Sequence, residues 1–255
     1  MAWWFYGIGD IFRVLFQHEN ESREKVTSVY SDLDRLARSV LTFNRIPVSV
    51  LVKLLELMTR YGNSDAALVL GVYLLSGEWI DFDGCLVEDS DKRILRRRRG
   101  RKNLDKAEKF LSRAWRMGRR DSAYYLAELY LAKKQYSKSC YWCLRSLPYI
   151  SREQRACCYH ALGYMYYNFN STKNSYGRAL DYWRKAAKLG SAKAMYELGV
   201  VHLYGEHVKK NYERGREYLN RCCLADPSMI NDVRSILSEY ERDMQKNVRD
   251  SKTRI

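Results

Sequence analysis

The stretch that decides the fold, residues 181–199, reads DYWRKAAKLGSAKAMYELG. It is typical of the end of one helix, a tight turn at Gly190 and the start of a second helix. Small side chains stand where the two helices would touch, Ala186 on the first and Ala192 and Ala194 on the second. The stretch therefore predicts a pair of helices whose backbones approach closely.

A period of 36 residues carries this pattern along the chain. Leu198-Gly199 follows Leu162-Gly163 by one period, and Leu162-Gly163 follows Leu126-Ala127 by another. Leu70-Gly71 marks one more unit. A fixed period of this size is the signature of stacked helix pairs, in which each pair contacts its neighbours.

Each unit repeats one arrangement of small and bulky residues. Four positions before each leucine stands a small residue: Ala66, Ser122, Cys158 and Ala194. Each second helix carries a small residue, a bulky one four positions later and a small one seven positions later. These sets are Ala107/Leu111/Ala114, Ser139/Cys143/Ser146, Ala179/Trp183/Ala186 and Gly215/Leu219/Cys222. Spacings of four and seven place the three on one face of a helix, so we expect them to line the contact with the paired helix.

The pattern divides the chain into three parts. Gly62-Asn63-Ser64 aligns with Gly190-Ser191-Ala192, so a helix from Pro47 to Tyr61 closes a degenerate unit and the repeats cover 47–225. Residues 1–46 are predicted to form a helical cap. Residues 226–255 are predicted to form a capping helix, which begins at Asp226 and Pro227, and a polar tail from about Lys246.

The cap is predicted to contain two helices. Its first helix, 1–16, is strongly apolar but too short to span a bilayer, which needs about 20 residues. It covers one end of the stack or lies on a membrane surface. A second helix is predicted from Ser22 to Thr42.

The combined motif resembles the Sel-1-like repeat, a subclass of the tetratricopeptide superfamily. In its best copy, Gly177–Gly205, the residues that match the family's second helix are Arg178, Ala179, Trp183, Lys185, Ala186, Ala187 and Gly190. Those that match its first helix are Ala192, Ala194, Leu198, Gly199, Tyr204 and Gly205, while His202 replaces the usual tyrosine. The resemblance implies an all-α, right-handed α-α solenoid of stacked antiparallel helix pairs. It also implies an adaptor or scaffold for other proteins.

A charged insertion, 78–102, separates the two helices of the Leu70 unit. The chain carries a formal net charge of +15, and eight of its positive charges lie between 92 and 102. The densest part comprises Arg96, Arg97, Arg98, Arg99, Arg101 and Lys102. Three functions fit such a run: contact with nucleic acid, contact with an anionic membrane surface, or a nuclear import signal. A solvated loop that folds onto its own acidic half fits equally well.

No residue pattern indicates catalysis, a metal or a cofactor. Cys140 and Cys143 have the spacing of a redox or metal motif, but they lie within a predicted helix without a second ligand pair. The four histidines complete no triad or metal set. We therefore expect no enzyme, no metal and no cofactor. Seven cysteines without a recognisable secretory signal favour reduced thiols and a cytoplasmic location.

A concave groove along the first helices is the expected binding surface. Stacking aligns the exposed side chains of these helices into an extended groove that suits a peptide or protein partner. The residues predicted to contact the partner are Tyr125, Tyr130, Tyr164, Tyr167 and Glu197.

Overall fold

The computed structural model describes residues 48–77, 102–169 and 173–252, and these residues are all-helical. The chain divides into two compact units between Gln135 and Tyr136. The first unit contains α1 (Val48–Arg60), α2 (Ser64–Ser76), α3 (Leu104–Arg116) and α4 (Ser122–Ala132). The second unit contains α5 (Tyr136–Ser146), α6 (Arg152–Phe169), α7 (Lys173–Lys188), α8 (Ala192–Tyr204), α9 (Tyr212–Ala225), a 3-10 turn (Pro227–Met229) and α10 (Ile230–Lys252).

Several predictions concern residues outside this range. The helices at 1–16 and 22–42, residues 78–101 of the insertion and Arg96 to Arg101 are among them. Of the predicted electrostatic residues, Lys102 is described, and it is exposed just before α3. The domain boundaries after residues 46 and 225 stay predictions.

The turns between successive helices repeat the same local chemistry. Gly62 and Gly190 adopt φ of 97° and 102°, a left-handed conformation that a side chain disfavours. The residue after each glycine caps the next helix. Asn63 Oδ1 accepts a hydrogen bond from Ala66 N at 2.8 Å, and Ser191 Oγ accepts one from Ala194 N at 3.3 Å. The predicted equivalence of these two turns is confirmed.

The repeating small and bulky residues form the core of each unit. All four marker leucines, Leu70, Leu126, Leu162 and Leu198, are fully buried. The small residues four positions before them and all the second-helix sets are buried as well. Burial of one leucine side chain contributes about 2 kcal/mol through the hydrophobic effect, so these positions supply much of the driving force for packing.

The glycines of the marker pairs set the distance between paired helices. A Cβ on Gly71 would lie 2.7 Å from the side chain of Leu111, and one on Gly199 would lie 2.6 Å from Leu219 Cγ. Both values are shorter than any normal contact between carbon atoms. The helices therefore approach as closely as they do because these positions carry no side chain.

The last helix covers the preceding repeat. Val233 and Tyr240 of α10 belong to the same buried cluster as Leu198 and Leu219, and Met229, Ile236 and Leu237 pack against it. Ile230 and Met244 are exposed and lie outside this contact. The helix α10 continues through the predicted polar tail as far as Lys252, and no glycine or proline interrupts it before that residue.

Candidate functional site

The second unit presents two parallel rows of accessible residues on its first helices. We call these eight residues the first-helix face: Cys157, Ala161, Tyr164 and Asn168 on α6, and Lys193, Glu197, Val200 and Tyr204 on α8. Each residue on α8 follows its counterpart on α6 by 36 positions, one repeat. All eight are exposed or half-buried. The repeat therefore places equivalent positions of two helices at the surface.

Aromatic rings are exposed along α6. Tyr164 is 43% exposed and Phe169 is 46% exposed, and their ring centroids lie 6.1 Å apart in an edge-on arrangement. The other side of the Phe169 ring stacks on Tyr136 at 3.6 Å. Asn168 Nδ2 donates a hydrogen bond to the Tyr164 carbonyl oxygen at 2.9 Å. Aromatic side chains held in this way offer a partner apolar area at low entropic cost.

A histidine and a carboxylate meet between α6 and α8. His160 Nε2 lies 4.0 Å from Glu197 Oε1. Burial, with a smaller contribution from the charge of Lys193, lowers the pKa of His160 to about 4. Burial also raises the pKa of Glu197. Burial thus favours the uncharged form of both groups, and His160 is neutral at pH 7.

His160 Nε2 is closed off from solvent. This buried atom has no hydrogen-bond partner within the described residues. An unpaired polar atom in such surroundings lowers stability, so this contact between the helices has a cost. The sequence predicts Glu197 as a contact residue and gives no sign of His160, because the two are 37 positions apart rather than one repeat.

Tyr167, another predicted contact residue, is held by its own unit. Its hydroxyl donates a hydrogen bond to Glu206. Its ring lies 5.1 Å from Trp183 and 5.4 Å from Tyr176. Burial and the neighbouring carboxylate of Glu206 raise the pKa of the Tyr167 hydroxyl. Tyr167 therefore links α6 to the end of α8 and supports the first-helix face from beside it.

The two predicted residues of the first unit show little surface. Tyr125 is 8% exposed and Tyr130 is 7% exposed. The Tyr130 hydroxyl donates a 2.7 Å hydrogen bond to Glu108, and burial and this contact raise the Tyr130 pKa to about 12. Lys133 Nζ donates to the same carboxylate at 2.7 Å. Most of each ring therefore packs within the unit.

The cysteine pair at 140 and 143 packs rather than forming a reactive site. The Cys140 thiol donates to the sulfur of Met165 at 3.6 Å, while Cys143 is buried. None of the six cysteines of the described residues forms a disulfide. The described residues contain no group of three or more histidine, cysteine or acidic side chains that could hold a metal ion. No described helix is both long and apolar enough to cross a membrane.

His202 replaces the tyrosine expected in the best repeat, and it is buried. Its ring stacks on Tyr218 with centroids 5.8 Å apart, and its two ring nitrogens have no hydrogen-bond partner within the described residues. Burial lowers the pKa of His202, with further contributions from Arg214 and Arg184. It is thus a neutral packing residue, apart from the first-helix face.

The helix pairs of the second unit match a known repeat family. A family model described as Sel1 repeat matches residues 156–191 and again residues 192–226. Residues 156–226 are Sel1 repeats. The first match spans most of α6 and all of α7, and the second contains α8 and α9. The first-helix face thus comes from the first helix of each matched repeat.

Two solved structures have the same fold. One is a protective antigen of uropathogenic Escherichia coli strains that displays an SLR fold, with a TM-score of 0.54 and 19% identity over 79% of this chain and 40% of the antigen. The other is a Sel1 repeat protein from Oxalobacter formigenes, with a TM-score of 0.50 and 14% identity over 87% of this chain and 82% of that protein. This chain thus spans less than half the length of the antigen. No curated protein sequence matches it. The predicted all-α solenoid of helix pairs is confirmed.

Proposed function

We propose that this Sel1-repeat protein is a non-catalytic adaptor or scaffold that binds a segment of a partner protein on the first-helix face. Sel1 repeat proteins generally mediate protein–protein interaction. The observation that carries the proposal is the exposure of Tyr164 in a row that the next repeat continues, with the exposed ring of Phe169 beside it. The residues on this face chiefly responsible for binding are Tyr164 and Glu197.

The chemistry of the face fits a peptide segment better than a small molecule. Apolar area at Tyr164 alternates with polar groups at Asn168 and Glu197, so an extended chain could place side chains and backbone amides against both. The Glu197 carboxyl is half-buried on this face, and the partial loss of solvent raises its pKa. Hydrogen bonds to such desolvated groups discriminate strongly between correct and incorrect partners.

Site-specific photocrosslinking tests the proposal. Benzoylphenylalanine replaces Tyr164 in one variant and Tyr141 in a control. Tyr141 has a similar exposure, 50%, but lies on α5, which is the second helix of its repeat and not part of the first-helix face. We expect a partner protein to be crosslinked at 164 and not at 141. Equal crosslinking at both positions, or crosslinking at 141 alone, would place the binding surface elsewhere.

The alternative function, binding of nucleic acid or an anionic membrane through residues 92–102, stays a prediction. Among the described residues it has one member, Lys102, which is exposed. Neutralisation of the six residues Arg96, Arg97, Arg98, Arg99, Arg101 and Lys102 with glutamine tests it. Unchanged partner affinity and a flat dependence on salt would end this alternative.

A further inference from the structure

A pocket in the first unit collects four cationic side chains. It has a volume of about 250 Å³ and lies between α1 and α3. Its lining comprises Glu56, Thr59, Arg60, Lys106, Lys109, Phe110 and Arg113. The lining thus carries four positive charges and one negative charge. It is separate from the first-helix face, which belongs to the second unit.

The helical repeat explains why the charges converge. Lys106, Lys109 and Arg113 follow each other at spacings of three and four, which places them on one side of α3. Arg60 is the last residue of α1, and Arg113 Nη2 donates a hydrogen bond to the Arg60 carbonyl oxygen at 3.4 Å. This contact joins the two helices at one end of the pocket and holds both arginine residues close together.

The four cations of the pocket have no acidic partner among the described residues. Within the described residues, the side chains of Arg60, Lys106, Lys109 and Arg113 form no ion pair. Elsewhere in the same unit charged groups are paired, as in the contact of Lys133 with Asp105 and Glu108 at 2.7 Å. The one acidic side chain in the pocket, Glu56, cannot balance four cations. An anion in the pocket would relieve their mutual repulsion.

We propose that this pocket binds a small phosphorylated molecule through its phosphate groups. Lys106 and Arg113 are seven positions apart, about 10 Å along the helix axis, so the cations can contact two or more phosphates of one ligand. Arginine forms paired hydrogen bonds with phosphate, and lysine acts as a mobile point charge beside it. The half-buried ring of Phe110 offers an apolar wall for the part of the ligand that carries the phosphates.

Titration calorimetry on the full chain tests the proposal with inorganic tripolyphosphate as the probe at constant ionic strength. We expect saturable binding of one probe per chain. The double variant Lys109→Gln/Arg113→Gln weakens this binding by at least about tenfold, because it removes two charged hydrogen-bond donors. The matched control Arg216→Gln/Arg234→Gln removes two exposed cations from α9 and α10, and its affinity stays within about twofold of wild type.

A variant that is expected to bind tripolyphosphate more tightly distinguishes the proposal from simple loss of folding. Glu56→Gln removes the one carboxylate of the pocket, so we expect tripolyphosphate to bind about threefold more tightly. Damage to the pocket would weaken binding, so tighter binding points to the removed charge of Glu56. Circular dichroism of each variant confirms that its helix content equals that of wild type.

A parallel titration with single-stranded RNA distinguishes the source of the phosphates. Tripolyphosphate binding that depends on Lys109 and Arg113 supports the proposal. It is overturned if tripolyphosphate shows no saturable binding, or if the pocket variant and the control bind it equally. It is also overturned if RNA alone binds in a manner that depends on the pocket residues, since the ligand is then a nucleic acid.

Discussion

Gly163 on α6 packs directly against the indole ring of Trp183 on α7, and a Cβ at position 163 would overlap that ring. Its distance from Trp183 Cγ would be 2.9 Å, and two other indole atoms would be closer still. One repeat later, Gly199 and Leu219 hold the same relationship. The missing side chain on one helix therefore accommodates the large side chain on the other, and the pairing recurs with the 36-residue period.

Gly163→Ala tests this close approach. The added methyl group forces the rigid indole ring or the helix to move, and we expect a loss of about 1–3 kcal/mol in the free energy of unfolding. The measurement is urea denaturation followed by circular dichroism. Gly177→Ala is the matched control. Nothing lies within 4 Å of a Cβ at position 177 in α7, so that variant gains about 0.5–1 kcal/mol from reduced backbone entropy. Equal effects of the two variants would contradict the packing role of Gly163.

The core was predictable from the sequence because it depends on side-chain size at fixed intervals. Leu162, Gly163 and Trp183 can be recognised in one dimension, since a helix pair always brings such positions together. The surface was harder to predict. Tyr125 and Tyr164 are both tyrosines on the first helix of a repeat. Tyr125 is buried and Tyr164 is exposed, and this difference depends on how neighbouring helices pack.

Contacts between repeats also lay beyond the sequence pattern. His160 and Glu197 meet because two separate helices stack, and the intervening 36 residues give no sign of their approach. The phosphate pocket is similar, since Arg60 and Arg113 come from α1 and α3 with the charged insertion between them in the chain. The sequence drew attention to the run of arginines in that insertion, whereas the cavity lies between α1 and α3.

The cap of α9 provides a test of local helix chemistry. Asn211 Oδ1 accepts a hydrogen bond from Arg214 N at 2.9 Å, which satisfies a backbone donor at the start of the helix. Asn211→Ala should lower the free energy of unfolding by about 1 kcal/mol. The control is Asn220→Ala, at an exposed position within the same helix. There alanine should raise the free energy of unfolding by about 0.3 kcal/mol, because it is the better helix former. Thermal denaturation of the two variants in parallel checks the difference, and destabilisation by Asn220→Ala alone would contradict the assignment.

Thiol labelling tests the packing role of the cysteines. Cys157 is exposed, whereas Cys143, Cys158 and Cys222 are buried. A hydrogen bond with Cys158 and burial raise the pKa of Cys143, and burial raises that of Cys222 to about 11. Since the thiolate is the reactive form, iodoacetamide at pH 8 should modify Cys157 at least about tenfold faster than the buried thiols. Peptide mass spectrometry locates the label, and denaturant serves as the control by making all sites react. Rapid labelling of Cys143 in the native protein, or a disulfide between Cys143 and Cys158, would contradict the packing role.

Acidification should destabilise the second unit through His160. Because the folded-state pKa of about 4 lies below the ordinary value of 6.5, the unfolded chain binds the proton more tightly. The stabilisation is complete above pH 6.5 and declines as the pH falls from 6.5 to about 4, amounting to a loss of about 2 kcal/mol near pH 4.5. His160→Gln removes this titration, so its stability should decline less than that of wild type over the same range in urea denaturation. The difference between the two proteins isolates His160 from His202, whose pKa burial also lowers. Parallel curves for wild type and His160→Gln would show that Glu197, 4.0 Å away, accepts the charged imidazole without cost.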